Sequence, residues 1–305
     1  MLFVYATILA LIVLLVPDVA YAWGPGMHVE VAMKALANLS WAVPVIAGLA
    51  ERFPDAFLYG ASSPDIIVGK KYAGYLHHCH NWRMGWLILN ESKTERQRAA
   101  AYGYLMHLAS DIVAHNYYIP VKIVRSYEAR MLSHAYWEMR FDLGVADEAW
   151  DRLAQIGELE IEEFDEILER VLRKTLFSFA TNKRIFSTIL IFHKMRTLRK
   201  SLRLYAKQSR FDIHEENRQH YVDLTMEAAR DFLAHPDSCA CLDVDPAGLG
   251  RLAYAQNLRR RMRSMLKSGL MVPKQAETLV GLVREQLALG LYRPEMVLPD
   301  VVDVL

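Results

Sequence analysis

The sequence predicts an all-α protein, because apolar residues recur at helical spacing along most of the chain and alternating runs between hairpin turns are missing. Hydrophobic residues make up 53% of the 305 residues, which allows a large core and excludes wholesale disorder. The formal net charge is +1, so the composition implies no strong attraction to nucleic acid. Three cysteines, Cys79, Cys239 and Cys241, are too few for a disulfide framework.

The chain opens with an apolar leader. Residues 2–16 carry no charge but are shorter than the roughly 20 residues that span a bilayer. Ala20-Tyr21-Ala22 follows as a cleavage motif, so we expect 1–22 to be a signal peptide and the mature protein, starting at Trp23, to be secreted or periplasmic. Because the leader has no Lys or Arg, the alternative is a retained membrane anchor.

Helical periodicity and breaker residues predict the remaining elements in order. The first half should contain helices over 26–39, 94–118 (ended by Pro120) and 123–143 (ended by Gly144), with a long ordered loop over 55–90. The second half should contain amphipathic helices near 146–155, 159–180, 183–208, 215–234, 247–267 and 273–289. Since no Gly-Ser or Pro-rich linker divides the halves, we expect one domain over 23–305.

Two basic stretches stand out in the second half. Nine Lys or Arg and no acid occupy 183–210, and four arginines lie between 259 and 263. Acidic residues dominate 147–169, so the simpler interpretation of 183–210 is one of two oppositely charged, solvated helix faces, and the alternative is a basic surface for anionic lipid headgroups. The same two interpretations apply to 259–263.

The strongest chemical motif is His107-x-x-x-Asp111-x-x-x-His115. Residues four apart lie on one face of a helix, and the intervening residues are apolar, so two imidazoles and a carboxylate should share a buried face. Such a set is typical of a zinc or other transition-metal site. His134-x-x-x-Glu138 repeats the spacing and could instead be an ordinary hydrogen bond along a helix face.

Two further motifs supply donors. His28 follows closely after Trp23, whose free amine and carbonyl oxygen would chelate a metal once the leader is removed. Asp65 lies in a Ser-Pro-Asp sequence ahead of a histidine cluster at 77, 78 and 80. Together these motifs offer about nine nitrogen and oxygen donors, more than one tetrahedral zinc needs, and they suit about three ions.

These motifs resemble the zinc-dependent phospholipase C/D family, which is related to the zinc-dependent single-strand nucleases. The resemblance covers roughly 23–140 and implies a multi-helix bundle with a trinuclear zinc cleft. It assigns these metal ligands: Trp23, His28, Asp65, His80, His107, Asp111, His115, His134 and Glu138. His78 is the close alternative to His80, and His77 a weaker one. In the family, the histidine that comes next after the bridging aspartate commonly follows it by six positions, after a stretch with a proline, whereas His115 follows Asp111 by four.

The resemblance implies phospholipase C-type hydrolysis of phospholipids by zinc-activated water. Asp111 would bridge two zinc ions, Asp65 would also orient or deprotonate the water, and the substrate would be met at a membrane surface. Two alternatives remain open. The first is a nuclease or nucleotidase on the same site, with Trp82, Trp86, Tyr117 and Tyr118 as a platform for a base. The second is a non-catalytic zinc-binding envelope protein.

Overall fold

The computed structural model describes residues 23–67, 78–129, 134–159, 161–172, 177–194 and 215–305. Within these ranges all regular structure is helical and no strand is found, so the all-α prediction is confirmed. No helix in the same ranges combines the length and apolarity that crossing a bilayer requires. The predicted leader at 1–22 lies outside the described residues.

The helices are numbered here in chain order. The first half contains α1 (Pro25–Leu36), α2 (Pro44–Arg52), α3 (Pro54–Ser62), α4 (Trp82–Glu91), α5 (Glu95–Val113), α6 (Ile119–Arg125) and α7 (His134–Asp142). The second half contains α8 (Asp147–Gly157), α9 (Glu162–Val171), α10 (Phe179–Lys194), α11 (Glu215–Ala234), α12 (Leu249–Lys267) and α13 (Pro273–Leu289).

Helix α5 lies at the centre of the protein. It begins with a capping box, in which the Thr94 hydroxyl accepts from the N–H of Gln97 and the Gln97 side chain accepts from the N–H of Thr94. From Ala99 onward every residue of α5 is buried, because helices α3, α4 and α11 pack around it. Polar side chains on this part of α5 are therefore held inside the protein core.

Helices α3 and α5 cross with their backbones in contact. A Cβ at Gly60 would overlap the carbonyl of Ala100, and one at Gly103 would overlap the carbonyl of Phe57. Only glycine permits this approach. The contact brings the carboxyl end of α3 beside the part of α5 that carries His107.

The predicted loop over 55–90 is wrong. Helix α3, a 3-10 turn over Ser63–Ile66 and helix α4 occupy the described parts of this region. Pro54 and Pro64 stand in the first turns of their helices, where a missing N–H costs little, and Gly60 serves the helix crossing. Residues typical of loops thus have helical roles here.

Two predictions for the region that follows α5 also need correction. Pro120 does not end the helix, because a π-helical turn over Ala114–Tyr118 leads into α6 and Pro120 lies in its first turn. The predicted helix over 123–143 is wrong, since α6 ends at Arg125 and α7 begins at His134. Arg259 and Arg263 donate hydrogen bonds to the carbonyl of Ala129, which fixes the chain after α6.

The second half packs onto the first. Helix α11 lies against α5, and α12 lies against α6. The observed bounds of α11 and α13 match the predicted 215–234 and 273–289. Cys239 and Cys241 form a disulfide, a single local link rather than a framework.

Candidate metal centre

His107 and Asp111 lie one turn apart on the same buried face of α5. Both side chains are fully excluded from solvent. The second carboxylate oxygen of Asp111, Oδ2, lies 3.3 Å from Nε2 of His107. The spacing therefore places an imidazole and a carboxylate together, as the motif predicts.

The two oxygens of Asp111 face different histidines. Oδ1 lies 3.1 Å from Nε2 of His28 on α1, and Oδ2 lies 3.0 Å from Nε2 of His80. Within the described part of the chain, neither oxygen of Asp111 and neither ring nitrogen of His28 has a hydrogen bond of regular geometry. Buried polar atoms left in this state are costly unless another ligand satisfies them.

A backbone hydrogen bond and the local electrostatics prepare these groups to bind a cation. Nδ1 of His107 donates to the carbonyl of Ala61 at 2.8 Å, which leaves the Nε2 lone pair directed at Asp111. Burial, together with the neighbouring His28, lowers the pKa of His107 to about 4, so its ring is neutral at neutral pH. Burial opposes ionisation of Asp111, yet His107, His28 and His80 together hold the pKa of its carboxyl well below its usual range.

Asp65 and His80 come from the segments that flank α5. Oδ1 of the buried Asp65 lies 3.5 Å from Nε2 of His80, and Nε2 of His80 lies 3.1 Å from Nε2 of His107. The Nδ1 atom of His78 accepts a hydrogen bond from the backbone N–H of His80 at 3.1 Å, and the Cys79 sulfur lies 3.3 Å from Nδ1 of His80. His80 therefore faces Asp111, whereas His78 supports its backbone. His77 lies outside the described residues.

The π-helical turn positions His115. Its Nδ1 donates to the carbonyl of Pro246 at 2.5 Å, and its ring centre lies 5.2 Å from that of His134. On α7, Nε2 of His134 lies 2.8 Å from Oε1 of Glu138. One donor atom from each of His115, His134 and Glu138 falls within 4.8 Å of the others.

Trp23 is anchored beside the centre. Its buried indole Nε1 donates to the carbonyl of Ser110 at 3.1 Å, and its ring packs against Tyr118 and Phe141. Ser110 directly precedes Asp111, so the residue expected to start the mature chain lies next to the carboxylate expected to bridge two metals.

Sequence reasoning missed Asp142, the last residue of α7. Its carboxyl oxygens accept from the N–H groups of Gly26 and Met27 in the first turn of α1, at 3.0 and 3.3 Å. Gly24, at the N-cap position, offers no side-chain cap. Asp142 follows Glu138 by four positions on the same helix, and this spacing could have pointed to it.

The donor set fits zinc. Among the described residues, four groups of side chains bring their donor atoms within 4.8 Å of one another: His28, His107 and Asp111; Asp65, His80 and His107; His115, His134 and Glu138; and His78, Cys79 and His80. In the first three groups all donors are imidazole nitrogens or carboxylate oxygens, which zinc accepts in hydrolytic sites. Cys79 sits near the opposite ring nitrogen of His80 and is not required.

Comparison with known families agrees with this arrangement. The family model for zinc dependent phospholipase C matches residues 27–184, just over half of the chain and most of the donor groups. Comparisons with curated proteins and with solved structures gave no match. Taken with the all-α fold and the clustered histidines and carboxylates, the match shows that the chain belongs to the zinc-dependent phospholipase C family.

Proposed function

We propose that this protein is a phospholipase C-type enzyme that hydrolyses a phosphodiester of a membrane phospholipid with about three zinc ions. The observation that carries the proposal is the position of Asp111, whose two oxygens face different histidines in a solvent-free core. A carboxylate placed in this way is suited to bridging two cations.

The clustered residues suggest how the ions would be held. Asp111 would be shared by one ion at Trp23 and His28 and a second ion held by Asp65, His80 and His107. The third ion would be held by His115, His134 and Glu138. Zinc ions bound there supply Lewis acids that polarise phosphoryl oxygens and lower the pKa of water.

The protein's own groups set the geometry. The Ala61 and Pro246 carbonyls each bind the Nδ1–H of a histidine, so that both rings present Nε2 to the site. The Asp65 carboxylate, beside His80, would orient the attacking water and accept its proton. Complete burial of Asp65 and Asp111 strengthens these electrostatic effects.

The aromatic side chains considered as a platform for a nucleic-acid base are engaged in packing. Tyr117 and Tyr118 are buried, and both pack against Tyr221. Trp82 stacks on Phe232 and donates to the carbonyl of Val244, so it is used for packing. Trp86 also packs beside Phe232. The aromatic platform that a nuclease would need is thus not supported by these four residues.

Because His115 follows Asp111 by only four positions, a shifted metal geometry there could leave zinc binding without turnover, which would favour the non-catalytic alternative. The π-helical turn instead brings His115 to His134 and Glu138, with donor atoms close enough to share one ion. This arrangement supports a complete third group, which the proposed enzyme requires.

The proposal is tested by metal analysis and two substrate assays on protein that begins at Trp23. We expect about three zinc ions per chain, release of phosphocholine from phosphatidylcholine, and no cleavage of single-stranded DNA or RNA. Asp111→Asn should lose zinc and lower activity. The loss of activity should exceed the roughly 10- to 100-fold decrease that is typical when a residue that only supports a metal ligand is replaced.

The matched control is Asp237→Asn, which makes the same change at an exposed position outside the motifs. It should keep the zinc content and the activity of the unmodified protein. One zinc ion or fewer in the folded protein, or cleavage of nucleic acid without cleavage of lipid, would overturn the proposal.

A further inference from the structure

Three consecutive backbone carbonyls in the second half of the chain accept hydrogen bonds from side chains of the first half. The acceptors are those of Val244, Asp245 and Pro246, called the 244–246 segment below. In this order they accept from Nε1 of Trp82 at 3.0 Å, from Nδ2 of Asn116 at 2.9 Å and from Nδ1 of His115 at 2.5 Å. One short segment thus binds two separate parts of the first half.

The 244–246 segment thereby reaches two of the groups of candidate zinc ligands. His115 itself belongs to one group. Trp82 begins α4 two positions after His80, which belongs to another group. The ring centres of His80 and His115 lie 6.1 Å apart. A shift of the 244–246 segment would therefore disturb the neighbourhood of both rings.

The 244–246 segment is also held by its own neighbours in the chain. The N–H of Val244 donates to the carbonyl of Cys241 at 3.2 Å. The carboxylate of Asp245 accepts from the N–H groups of Ala247 and Leu249, at 3.1 and 3.0 Å, where α12 begins. A backbone fixed on both sides is preorganised, so it can orient the side chains that bind to it.

We propose that the 244–246 segment couples the zinc ion at His80 to the zinc ion at His115, with Trp82 and Asn116 as positioning residues. Trp82 then affects the ion at His115 through the segment, although Trp82 lies beside His80 in the chain. The inference rests on the zinc centre of the proposed function and deepens it, because the family match ends at residue 184 and does not include the segment. It concerns zinc binding and not the hydrolytic step.

Competition between the zinc-loaded mature protein and a chromophoric chelator tests the coupling, since it measures the affinity for the most weakly held ion. Trp82→Phe removes the indole donor and keeps an aromatic ring against Phe232. It should weaken the binding of that ion by roughly tenfold, the low end of the effect typical when a residue that only supports a metal ligand is replaced. Amide hydrogen exchange should become faster at Ala247 and Gly248, whose N–H groups are bonded to Asp245.

Trp86→Phe is the matched control. Trp86 lies on the same helix, is half-buried like Trp82 and also packs beside Phe232. Among the described residues its indole donates no hydrogen bond. The control should therefore keep the zinc affinity and the exchange rates of the unmodified protein.

A double-mutant cycle tests whether Trp82 and Asn116 act through the same segment. Asn116→Ala should also weaken zinc binding. Trp82→Phe/Asn116→Ala should weaken it by less than the product of the two single effects, because either substitution already loosens the 244–246 segment. Effects that multiply would mean that the two residues act independently, and they would overturn the coupling.

The outcomes separate this inference from the proposed function. Unchanged zinc affinity in Trp82→Phe overturns the coupling, as does an equal loss in Trp86→Phe or faster exchange without loss of zinc. The expected zinc affinities without hydrolysis of phosphatidylcholine support the coupling and overturn the proposed function. A folded unmodified protein that binds no zinc overturns both.

Discussion

The side chain of Asp142 accepts a hydrogen bond from the backbone N–H of Gly26, with 3.0 Å between Oδ2 and N, and so ties the end of α7 to the start of α1. Its other oxygen accepts from Met27. Both N–H groups belong to the first turn of a helix, where backbone partners are scarce, and within the described residues only that of Met27 also donates to a backbone carbonyl, that of Gly24. Since His28 follows directly, Asp142 fixes the helix that presents a predicted zinc ligand.

The first prediction concerns the pH dependence of folding in chelator-treated protein. Burial raises the pKa of Asp142 to about 7, although Gly26, Met27 and Arg218 act against the shift. The folded state therefore keeps a proton that the unfolded chain releases near its ordinary pKa, and Asp142 makes the protein less stable as pH rises from 4 to 7. The full effect is at most about 4 kcal/mol.

Asp142→Asn removes this titration. The difference in unfolding free energy between unmodified protein and variant, measured with urea, should change steadily between pH 4 and 7. Asp237→Asn is the exposed control and should give a constant difference. Parallel pH curves for the unmodified protein and Asp142→Asn would contradict the assignment.

The second prediction concerns the crossing of α3 and α5. Gly103→Ala should destabilise the protein by about 3 kcal/mol or more, because the added methyl group meets the carbonyl of Phe57. Gly48→Ala on α2 meets no atom within 4 Å and should stabilise by about 0.5–1 kcal/mol. Urea unfolding followed by circular dichroism measures both. Similar effects of the two substitutions would show that the helices can separate at little cost.

The third prediction links the second half of the chain to zinc. Gly248 has φ +57°, and a Cβ there would lie 2.5 Å from that of His115. Gly248→Ala should therefore displace His115 and reduce the zinc content by about one ion, beyond the roughly 1–2 kcal/mol cost of the backbone conformation. Gly250→Ala, two positions away with no atom within 4 Å, should leave zinc unchanged. Full zinc content in Gly248→Ala would indicate that His115 is not a zinc ligand.

The fourth prediction concerns the amino terminus. We propose that the mature protein begins at Trp23 and acts outside the cytoplasm, so its amine binds zinc only after the leader is removed. An extra residue before Trp23 converts that amine into an amide, whose lone pair is delocalised. Protein with one extra residue should therefore hold about one zinc ion fewer and lose activity.

The comparison requires two purified forms, one starting at Trp23 and one extended by a single residue, both assayed for zinc and for phosphocholine release. Because the Trp23 indole is already anchored on Ser110, the extension should leave helicity unchanged. Equal zinc content and turnover in the two forms would exclude Trp23 as a ligand.

Local patterns in the sequence predicted part of this structure. The spacing of His107 and Asp111 correctly placed them on one face, because helical geometry alone determines it. The bounds of α11 and α13 were also predictable from periodicity. The helices within 55–90 were not predictable in this way. Gly60 looks like a loop residue in the sequence, and its role in a helix crossing becomes visible only through its contact with Ala100, which lies far along the chain.

The support of the candidate ligands was harder to predict. Ala61 and Pro246 act through backbone carbonyls, which every residue possesses, so no residue type marks them. The contact between His115 in the π-helical turn and Gly248 likewise joins residues far apart along the chain, so the local sequence does not reveal it.

The hydrogen bond from His115 to Pro246 spans 131 positions and sets an order of events during synthesis. The chain leaves the ribosome from its amino terminus, so His28, Asp65 and Asp111 emerge long before Pro246. At translation rates of about 5–20 residues per second, roughly 5–20 s separate the appearance of Glu138 from that of Pro246. The groups around Asp111 can therefore gather on the nascent chain, whereas the pocket at His115 is completed only after most of the protein has been made.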